Sequence, residues 1–341
     1  SPIFLSRDGG LDDAQRLAIV DGARSGQFNN VVAVGGSNVI SEATGAYLTG
    51  LMAATSGSFQ RLWGSSQYDT CVEIAKWAVS KKGFSWDGAA FTTSREPYDA
   101  LAGSVLQGKS KSVLLLVGDG SEPTVSAAAS NKASISSLKF FGGKNAITRA
   151  ARMRVADVLN VPYAALPGFK VYVDAGHGWN DGNNGAYDPG ACANGYQEAV
   201  LTAELANMVG DVLRDEYGVN VFINDDGGPY KYRHAEAVQL NCDAIVSLHF
   251  NAAGGSGSMS LRHEYNAAEY SYALQSQVHP YLISGTTLND LGMRTQEVAI
   301  LGGDLPATLL EVCFIDNSYD MSVYQSRKVD IAHKIAEGII E

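Results

Sequence analysis

Three observations on the sequence predict an α/β fold in two units. Strand-like apolar segments alternate with helical segments along most of the chain, which is typical of a mostly parallel sheet covered by helices. The chain has 341 residues, about twice the length of an average domain of ~150 residues. Between Asn160 and Phe169 the sequence holds two prolines and a glycine, which predicts a boundary. The predicted units are residues 1–160 and 169–341, joined by a linker over 161–168.

Composition and charge exclude several classes of protein. Hydrophobic residues make up 45% of the chain and charged residues 18%, which is typical of a folded protein and not of a disordered one. The formal charge is −11, whereas a nucleic-acid backbone attracts clustered Lys and Arg, so no nucleic-acid partner is expected. The longest aliphatic run, Val113 to Val117, is far shorter than the ~20 residues of a membrane span, so none is expected.

The charge is distributed unevenly along the chain. Residues 1–150 contain 14 basic and 12 acidic residues, whereas residues 151–341 contain 11 basic and 24 acidic ones. The asymmetry suits two units with different electrostatic roles, and a solvated acidic surface on the second unit explains it equally well.

The first half contains an internal repeat. The segment Val31 to Ser41 recurs as Leu138 to Thr148, and each copy reads as an apolar strand, a Gly-Gly turn and a hydroxyl residue that can cap a helix. A strand predicted over Pro2 to Leu5 likewise resembles one predicted over Ser112 to Val117. The pattern therefore predicts a Rossmann-like α/β repeat domain with a parallel sheet.

These residues resemble the cell wall binding repeat type 2 of Gram-positive surface proteins. The motifs that carry the resemblance are Arg61-Leu62-Trp63-Gly64, Tyr68-Asp69-Thr70, Pro97-Tyr98-Asp99-Ala100-Leu101-Ala102 and the Gly-Gly-x-Asn-x-Ile-[Ser/Thr] endings. The resemblance implies retention on an anionic wall polymer and an extracellular, wall-associated location. The chain shows a partial repeat over 1–50 and a complete one over 51–160, so missing repeats or an oligomer would complete the binding unit. A packing domain without a ligand is the alternative.

The second half repeats the strand and helix alternation. Strands are predicted over Lys170–Asp174, Val219–Ile223, Ala244–Phe250 and Ala307–Phe314, and helices over 197–216, 232–241, 269–283 and 329–340. Alternation of this kind predicts a sheet covered by helices on both faces.

Three of these predicted strands end in, or contain, residues that bind metals or transfer protons. His177 follows the first strand in an Ala-Gly-His-Gly turn, and His249 ends a later strand. Glu311 lies inside an apolar strand, where an unpaired charge is costly, and Glu198 begins the long helix. Two imidazoles and one carboxylate with an open fourth position are the composition of a catalytic zinc site, and a further Glu can transfer protons.

This half resembles the zinc-dependent N-acetylmuramoyl-L-alanine amidase family 3. The matching motifs are Val173-Asp174-Ala175-Gly176-His177-Gly178, Asp188-Pro189-Gly190-Ala191, Asn194-Gly195-Tyr196-Gln197-Glu198, Arg233 with Asn241-Cys242-Asp243, Ser247-Leu248-His249-Phe250-Asn251-Ala252, and Pro306 with Leu310-Glu311-Val312. The resemblance implies an α/β domain with a mixed, mostly parallel sheet and hydrolysis of the amide between N-acetylmuramic acid and L-alanine in peptidoglycan. It further implies that His177, Glu198 and His249 bind Zn²⁺ and that Glu311 is the catalytic carboxylate.

Two further residues are weaker candidates for roles around this site. Asn251 could orient a ligand and Arg294 could bind a stem-peptide carboxylate, although a strand-end turn and a solvated surface arginine explain them as well. The chain also inserts residues 179–187 where the family steps almost directly to Asp188. This insertion could shape substrate entry or be a tolerated surface loop.

Other readings of the sequence remain open. A zinc exopeptidase would use a His-x-x-Glu spacing that His177 and Glu198 do not show, and a wall-adhesion protein with a decayed catalytic half would not need all four site residues. The remaining histidines are interpreted as surface or packing residues, and no disulfide is predicted among the 4 cysteines. No signal peptide pattern occurs at the start of the chain.

Overall fold

A computed structural model describes residues 2–143, 146–179 and 185–341 of the chain. The chain divides into two compact units, Ser1–Asn160 and Val161–Glu341. The assignment of the first to wall binding and of the second to hydrolysis stays a prediction.

The first unit alternates strands with helices. Its strands are β1 (Asn30–Val34), β2 (Ser58–Leu62), β3 (Ser85–Thr93), β4 (Ser112–Val117) and β5 (Leu138–Phe141). Its helices are α1 (Asp13–Arg24), α2 (Glu42–Ala54), α3 (Gln67–Lys82), α4 (Tyr98–Ser110), α5 (Glu122–Ser130) and α6 (Arg149–Leu159). β1 pairs with β2, and β3 pairs with both β4 and β5, all in parallel.

Each copy of the internal repeat ends in a hydroxyl residue that caps the following helix. The Ser41 side chain accepts a hydrogen bond from the Thr44 amide at 3.2 Å, and the Thr148 side chain accepts one from the Ala151 amide at 3.3 Å. The predicted N-cap roles of both hydroxyls are therefore confirmed. Residues 144 and 145 of the second copy lie outside the described residues.

The prediction of a strand over Pro2–Leu5 is wrong. These residues form no regular element, whereas the similar segment Ser112–Val117 forms β4. The difference is pairing: β4 is buried beside β3, but Ile3 and Leu5 are 87% and 77% exposed. An apolar segment becomes a strand only where another strand can satisfy its backbone groups.

The second unit carries eight strands and four helices among the described residues. The strands are β6 (Lys170–Ala175), β7 (Cys192–Ala193), β8 (Tyr196–Gln197), β9 (Asn220–Asn224), β10 (Ala244–Asn251), β11 (Ser258–Arg262), β12 (Asp290–Thr295) and β13 (Ala307–Phe314). The helices are α7 (Glu198–Asp215), α8 (Arg233–Gln239), α9 (Ser271–Thr286) and α10 (Ser318–Ile340).

Six of these strands form one sheet in the order β12-β11-β13-β10-β6-β9. All neighbours in it are parallel except β11 and β13, so the predicted mixed, mostly parallel sheet is confirmed. β11 and β12 were not predicted. The sequence of β12, Asp290-Leu291-Gly292-Met293-Arg294-Thr295, is mostly exposed and breaks the apolar alternation that identifies strands.

The sheet is buried on both faces. Val171 and Val173 of β6 pack into a core with α7, α9 and α10, whereas Tyr172 between them packs on the opposite face with Ile245 and Ala237. Successive strand residues point to opposite faces, so both faces are apolar here. Because β6, β10 and β13 are parallel, their carboxyl ends meet at one edge of the sheet.

Two further properties of the described chain bear on its class. None of the described helices combines the length and the apolar character that crossing a membrane requires. Cys242 and Cys313 are buried in apolar clusters, where thiols commonly pack.

Candidate metal centre

His177, Glu198 and His249 lie together at the carboxyl edge of the central strands. His177 is two residues beyond β6, Glu198 is the first residue of α7, and His249 is near the end of β10. Each offers one ligand atom, and these atoms lie within 4.8 Å of one another. The structure thus brings together the three residues expected to bind zinc, although they are up to 72 positions apart in the sequence.

The carboxylate of Glu198 bridges the two imidazoles. Its Oε2 lies 3.1 Å from Nε2 of His177, and its Oε1 lies 3.0 Å from Nδ1 of His249. The same oxygens accept hydrogen bonds from the backbone amides of Ala191 and Phe250, at 2.9 and 3.0 Å. Glu198 is therefore fixed by contacts from the β10 strand and from the loop before α7.

Burial and charge act in opposite directions on these groups. Burial raises the pKa of Glu198, but hydrogen bonds and charge from both imidazoles outweigh it and hold the pKa well below its usual range. Burial lowers the pKa of His177, but the carboxylates of Glu198 and Asp188 outweigh it and raise the pKa to about 9. The two carboxylates therefore stabilise positive charge on the His177 imidazole, which is the kind of charge that a bound cation would also supply.

Two glycines leave the space that the imidazoles need. A Cβ on Gly176 would lie 2.3 Å from the His249 ring, and a Cβ on Gly190 would lie 2.6 Å from the His177 ring. Real side chains do not approach so closely, so any larger residue here would displace a ligand.

Asp188 orients His177 and was not predicted as a site residue. Nδ1 of His177 donates to Oδ2 of Asp188 at 2.9 Å, and Oδ1 of Asp188 accepts from the Gly190 amide at 2.9 Å. A carboxylate on the far nitrogen of a ligating histidine fixes its ring and raises its basicity. The only sequence indication was the Asp188-Pro189-Gly190-Ala191 motif.

Arg233 and Asp174 form a buried ion pair beneath the His177 loop. Nη1 of Arg233 lies 3.0 Å from Oδ1 of Asp174, and both residues are almost fully buried. Nη1 also donates to the Ala175 carbonyl and Nη2 to the His177 carbonyl, both at 2.7 Å. The Asp174 carboxylate also accepts hydrogen bonds from Asn224 at 2.8 Å and from the hydroxyl of Ser247 at 2.6 Å.

The backbone of His177 is in the left-handed region, with φ at +67°. A residue with a side chain adopts this conformation at a cost, unless its surroundings hold it there. The guanidinium of Arg233 on the His177 carbonyl is such a constraint. Two contacts therefore hold this turn: Arg233 binds the His177 carbonyl, and Asp188 binds the His177 imidazole.

Glu311 lies beside His249 on the neighbouring strand. The two residues are in direct register between β10 and β13. Burial raises the pKa of Glu311, and its buried Oε2 has no hydrogen-bond partner among the described residues. A carboxyl with a raised pKa and an unpartnered oxygen next to a ligand cluster is a candidate for proton transfer, and that role of Glu311 stays a prediction.

Asn251 and Arg294 lie in different surroundings. Asn251 ends β10, two residues beyond His249, and its Oδ1 accepts from the following amide at 2.8 Å, which is a turn contact. Arg294 is exposed on the edge strand β12, opposite Leu261 of β11, and its Nε donates to the Leu291 carbonyl at 3.0 Å. Substrate contact by either residue stays a prediction.

The remaining histidines lie in packing or surface contacts, as interpreted from the sequence. His234 lies between the Ile300 carbonyl and the Leu305 amide, and His279 lies between Ser260 and Asp290. His263 and His333 contact neighbouring backbone or surface groups. None of the four belongs to the ligand cluster among the described residues.

A mostly parallel sheet that gathers two imidazoles and a carboxylate at its edge defines an α/β protein with a candidate catalytic metal centre. The family model described as N-acetylmuramoyl-L-alanine amidase matches residues 171–341, half of the chain. The chain belongs to this family. A second model, described as cell wall binding domain 2, matches residues 61–152.

Two curated relatives carry the name of a bacterial amidase. The N-acetylmuramoyl-L-alanine amidase LytC of Bacillus subtilis is 25% identical over 97% of this chain and 63% of its own length. A sporulation-specific N-acetylmuramoyl-L-alanine amidase of the same organism is 32% identical over 44% of this chain and 58% of its own length. The chain thus spans about three fifths of the length of these relatives.

Two solved structures align with different portions of the chain. The catalytic domain of the amidase CwlV from Bacillus (Paenibacillus) polymyxa var. colistinus covers 50% of this chain and 96% of its own, with 25% identity and a TM-score of 0.44. Cwp6 from Clostridium difficile covers 99% of this chain and 55% of its own, with 19% identity and a TM-score of 0.45.

Proposed function

We propose that the chain is a zinc-dependent hydrolase that cleaves the amide between the lactyl group of N-acetylmuramic acid and L-alanine in peptidoglycan. The observation that carries the proposal is the convergence of His177, Glu198 and His249 beside the half-buried Glu311, within the segment that matches the amidase family. Two of the relatives are named for cleavage of the same bond, which supports the proposal.

The donor set suits zinc. Two imidazole nitrogens and one carboxylate oxygen are ligand types that zinc takes in catalytic sites. One such atom from each of His177, Glu198 and His249 lies within 4.8 Å of the other two. These three residues would hold the ion and leave a fourth position for substrate. Zinc there would polarise the amide carbonyl and lower the pKa of a water molecule to about 7.

The chain's own groups would move the protons. Glu311 would accept a proton from the attacking water and donate it to the nitrogen of L-alanine as the amide breaks. Its raised pKa suits both steps, because such a carboxyl holds a proton more readily than an exposed one. Asp188 and Arg233 would keep the His177 imidazole aligned without contacting substrate.

We further propose that the first unit retains the enzyme at the cell wall, outside the cell. The match of residues 61–152 to the cell wall binding domain 2 supports this proposal. The charge asymmetry is consistent with it, because residues 1–150 lack the strong negative charge of the second half. A less acidic unit is better suited to an anionic polymer.

Glu311→Gln tests the catalytic assignment. The variant should bind zinc as the wild type does and lose about a hundredfold or more in release of peptide from muropeptides. Glu297→Gln, at an exposed carboxylate outside the ligand cluster, is the matched control and should retain the wild-type rate. Full activity of Glu311→Gln contradicts the assignment, and a zinc-loaded wild type that leaves muropeptides intact contradicts the proposed activity.

Sedimentation with purified walls tests retention. The full-length Glu311→Gln chain should sediment with intact walls and largely remain in the supernatant after their anionic polymers are extracted. Equal sedimentation with both wall preparations would contradict recognition of an anionic polymer.

A further inference from the structure

The inserted segment between His177 and Asp188 begins and ends in an aromatic pair. Gly178 and Asp188 form an antiparallel bridge with both amide hydrogen bonds at 2.9 Å. In such a ladder the next residues, Trp179 and Tyr187, stand opposite each other on the same face. Their ring centroids are 5.1 Å apart and the rings are tilted by 57°. Residues 180–184 of the insertion lie outside the described residues.

Each residue of the pair has a contact that holds it in place. The Trp179 backbone pairs with Gly227, where a Cβ would lie 2.1 Å from the Trp179 carbonyl oxygen, so only glycine permits this approach. The Tyr187 hydroxyl donates to the side chain of Gln197 at 3.3 Å, and Gln197 directly precedes Glu198. The two rings thus have a fixed position relative to the metal centre.

The pair is adjacent in the chain to residues of the ligand cluster and of its support. Trp179 is two residues beyond His177, and Tyr187 directly precedes Asp188, which orients that histidine. Trp179 is 63% exposed, although a tryptophan normally buries most of its surface. An exposed indole held by its backbone offers a flat apolar surface at little cost in conformational entropy.

Negative charge near Trp179 indicates which part of the substrate would bind the exposed indole. Asp225 and Asp226 are exposed and directly precede Gly227, whose backbone pairs with that of Trp179. These carboxylates disfavour an acidic stem peptide there. A pyranose ring is neutral at its face, and its axial C–H bonds pack flat against an aromatic ring.

We propose that Trp179 and Tyr187 form an aromatic platform that binds an N-acetylhexosamine ring of the peptidoglycan glycan strand beside the metal centre. This inference rests on the proposed function and adds a binding site for the sugar part of that substrate. Trp179 and Tyr187, the described ends of the insertion, would then bind substrate, which agrees with one of the two interpretations of the insertion from the sequence. The acidic stem peptide extends away from the platform.

Binding of peptide-free glycan strands tests the platform independently of hydrolysis. Calorimetric titration would compare the full-length wild type with Trp179→Ala, Trp179→Phe and the control Tyr319→Ala. Tyr319 is 67% exposed on α10 and serves as an aromatic without this geometry. We expect Trp179→Ala to lose about tenfold in affinity, Trp179→Phe to retain most of it, and Tyr319→Ala to match the wild type.

Hydrolysis of muropeptides with long glycan chains gives the second readout. Trp179→Ala should raise KM about as much as it weakens strand binding, with kcat little changed. Equal strand affinity and equal KM in wild type and Trp179→Ala would overturn the platform. If strand binding depends on Trp179 but no variant hydrolyses muropeptides, the platform stands and the proposed function fails. Melting temperatures of the variants check that each is folded.

Discussion

Single residues of the metal centre depend on partners that are distant in the sequence. Glu198 receives hydrogen bonds from amides on both sides of it, and His177 is held by Asp188 and Arg233. The family resemblance predicted which residues bind the metal. It could not show that Asp188 turns toward His177 or that Arg233 reaches back over 56 positions to the His177 carbonyl, because such contacts exist only in the folded chain.

Asp188→Asn should weaken zinc binding. The amide can still accept from Nδ1 of His177 but loses the charge that makes the imidazole a better ligand. We expect zinc affinity to fall by about tenfold to a hundredfold, measured by competition with a chromogenic chelator. Asp226→Asn, at an exposed carboxylate outside the cluster, should stay near wild type. Equal affinity of both variants and wild type would argue against this role of Asp188.

Arg233→Met should destabilise the second unit. The substitution leaves the Asp174 carboxylate buried without its cationic partner, which costs about 3–5 kcal/mol in comparable buried pairs. Native-state hydrogen exchange of β6 and β10 amides measures the loss. Arg214→Met is the control, because its pair with Asp211 is half exposed, and exposed pairs contribute about 0–1 kcal/mol. Similar stability of both variants would show that the buried pair contributes little.

Individual elements follow the sequence pattern where burial is continuous and depart from it at edges. β6, β10 and β13 are mostly apolar and mostly buried, and they were predicted almost to the residue, as were the carboxyl ends that carry the site. Helix α10 begins at Ser318, earlier than predicted, because Asn317 caps it by accepting from the Tyr319 and Asp320 amides. Polar first turns of this kind hide a helix from hydrophobic periodicity.

A histidine contact between α10 and the end of α7 makes the stability of the second unit depend on pH. Nε2 of His333 contacts Glu216 at 2.9 Å, and its Nδ1 contacts the Val329 carbonyl at 2.9 Å. The Val329 hydrogen bond and the contacts with Glu216 and Asp330 raise the pKa of His333 above its ordinary value, although burial opposes this. The stabilisation that His333 contributes is therefore complete at pH values below the pKa of this histidine in the unfolded chain. It is lost as the pH rises through the higher pKa of His333 in the folded chain.

The variant His333→Gln measures this contribution. The difference in free energy of unfolding between wild type and variant should be largest near pH about 5.5 and shrink by pH about 9. Added salt should reduce the difference at low pH, because the pair is partly exposed and screened. A difference that stays constant across this range would show that protonation of His333 is not involved.

At the scale of the whole molecule, the two compact units differ in charge and in family match. The alternation of strands and helices predicted the α/β class, and the Pro and Gly residues between Asn160 and Phe169 lie close to the junction of the two units. Strand order and the antiparallel placement of β11 could not be predicted, because they depend on pairing between distant segments.

Zinc should stabilise the second unit alone. A ligand present at about 100 times its Kd adds about 2.7 kcal/mol to the stability of the state that binds it. Hydrogen exchange with mass spectrometry should therefore show slower exchange in β6, the start of α7 and β10 when zinc is added to metal-free protein. Residues 1–160 should exchange at unchanged rates. Equal protection in both halves, or none, would contradict a single site at His177, Glu198 and His249.

The bond that is cut tests the central claim most directly. Purified peptidoglycan would be incubated with the zinc-loaded chain, and the soluble products would be analysed by liquid chromatography and mass spectrometry. We predict intact stem peptides with a free L-alanine amino terminus, together with glycan strands whose N-acetylmuramic acid carries a free lactyl carboxyl group, and neither product after chelation. Cleavage within the stem peptide or the glycan, or no zinc-dependent cleavage, would contradict the account.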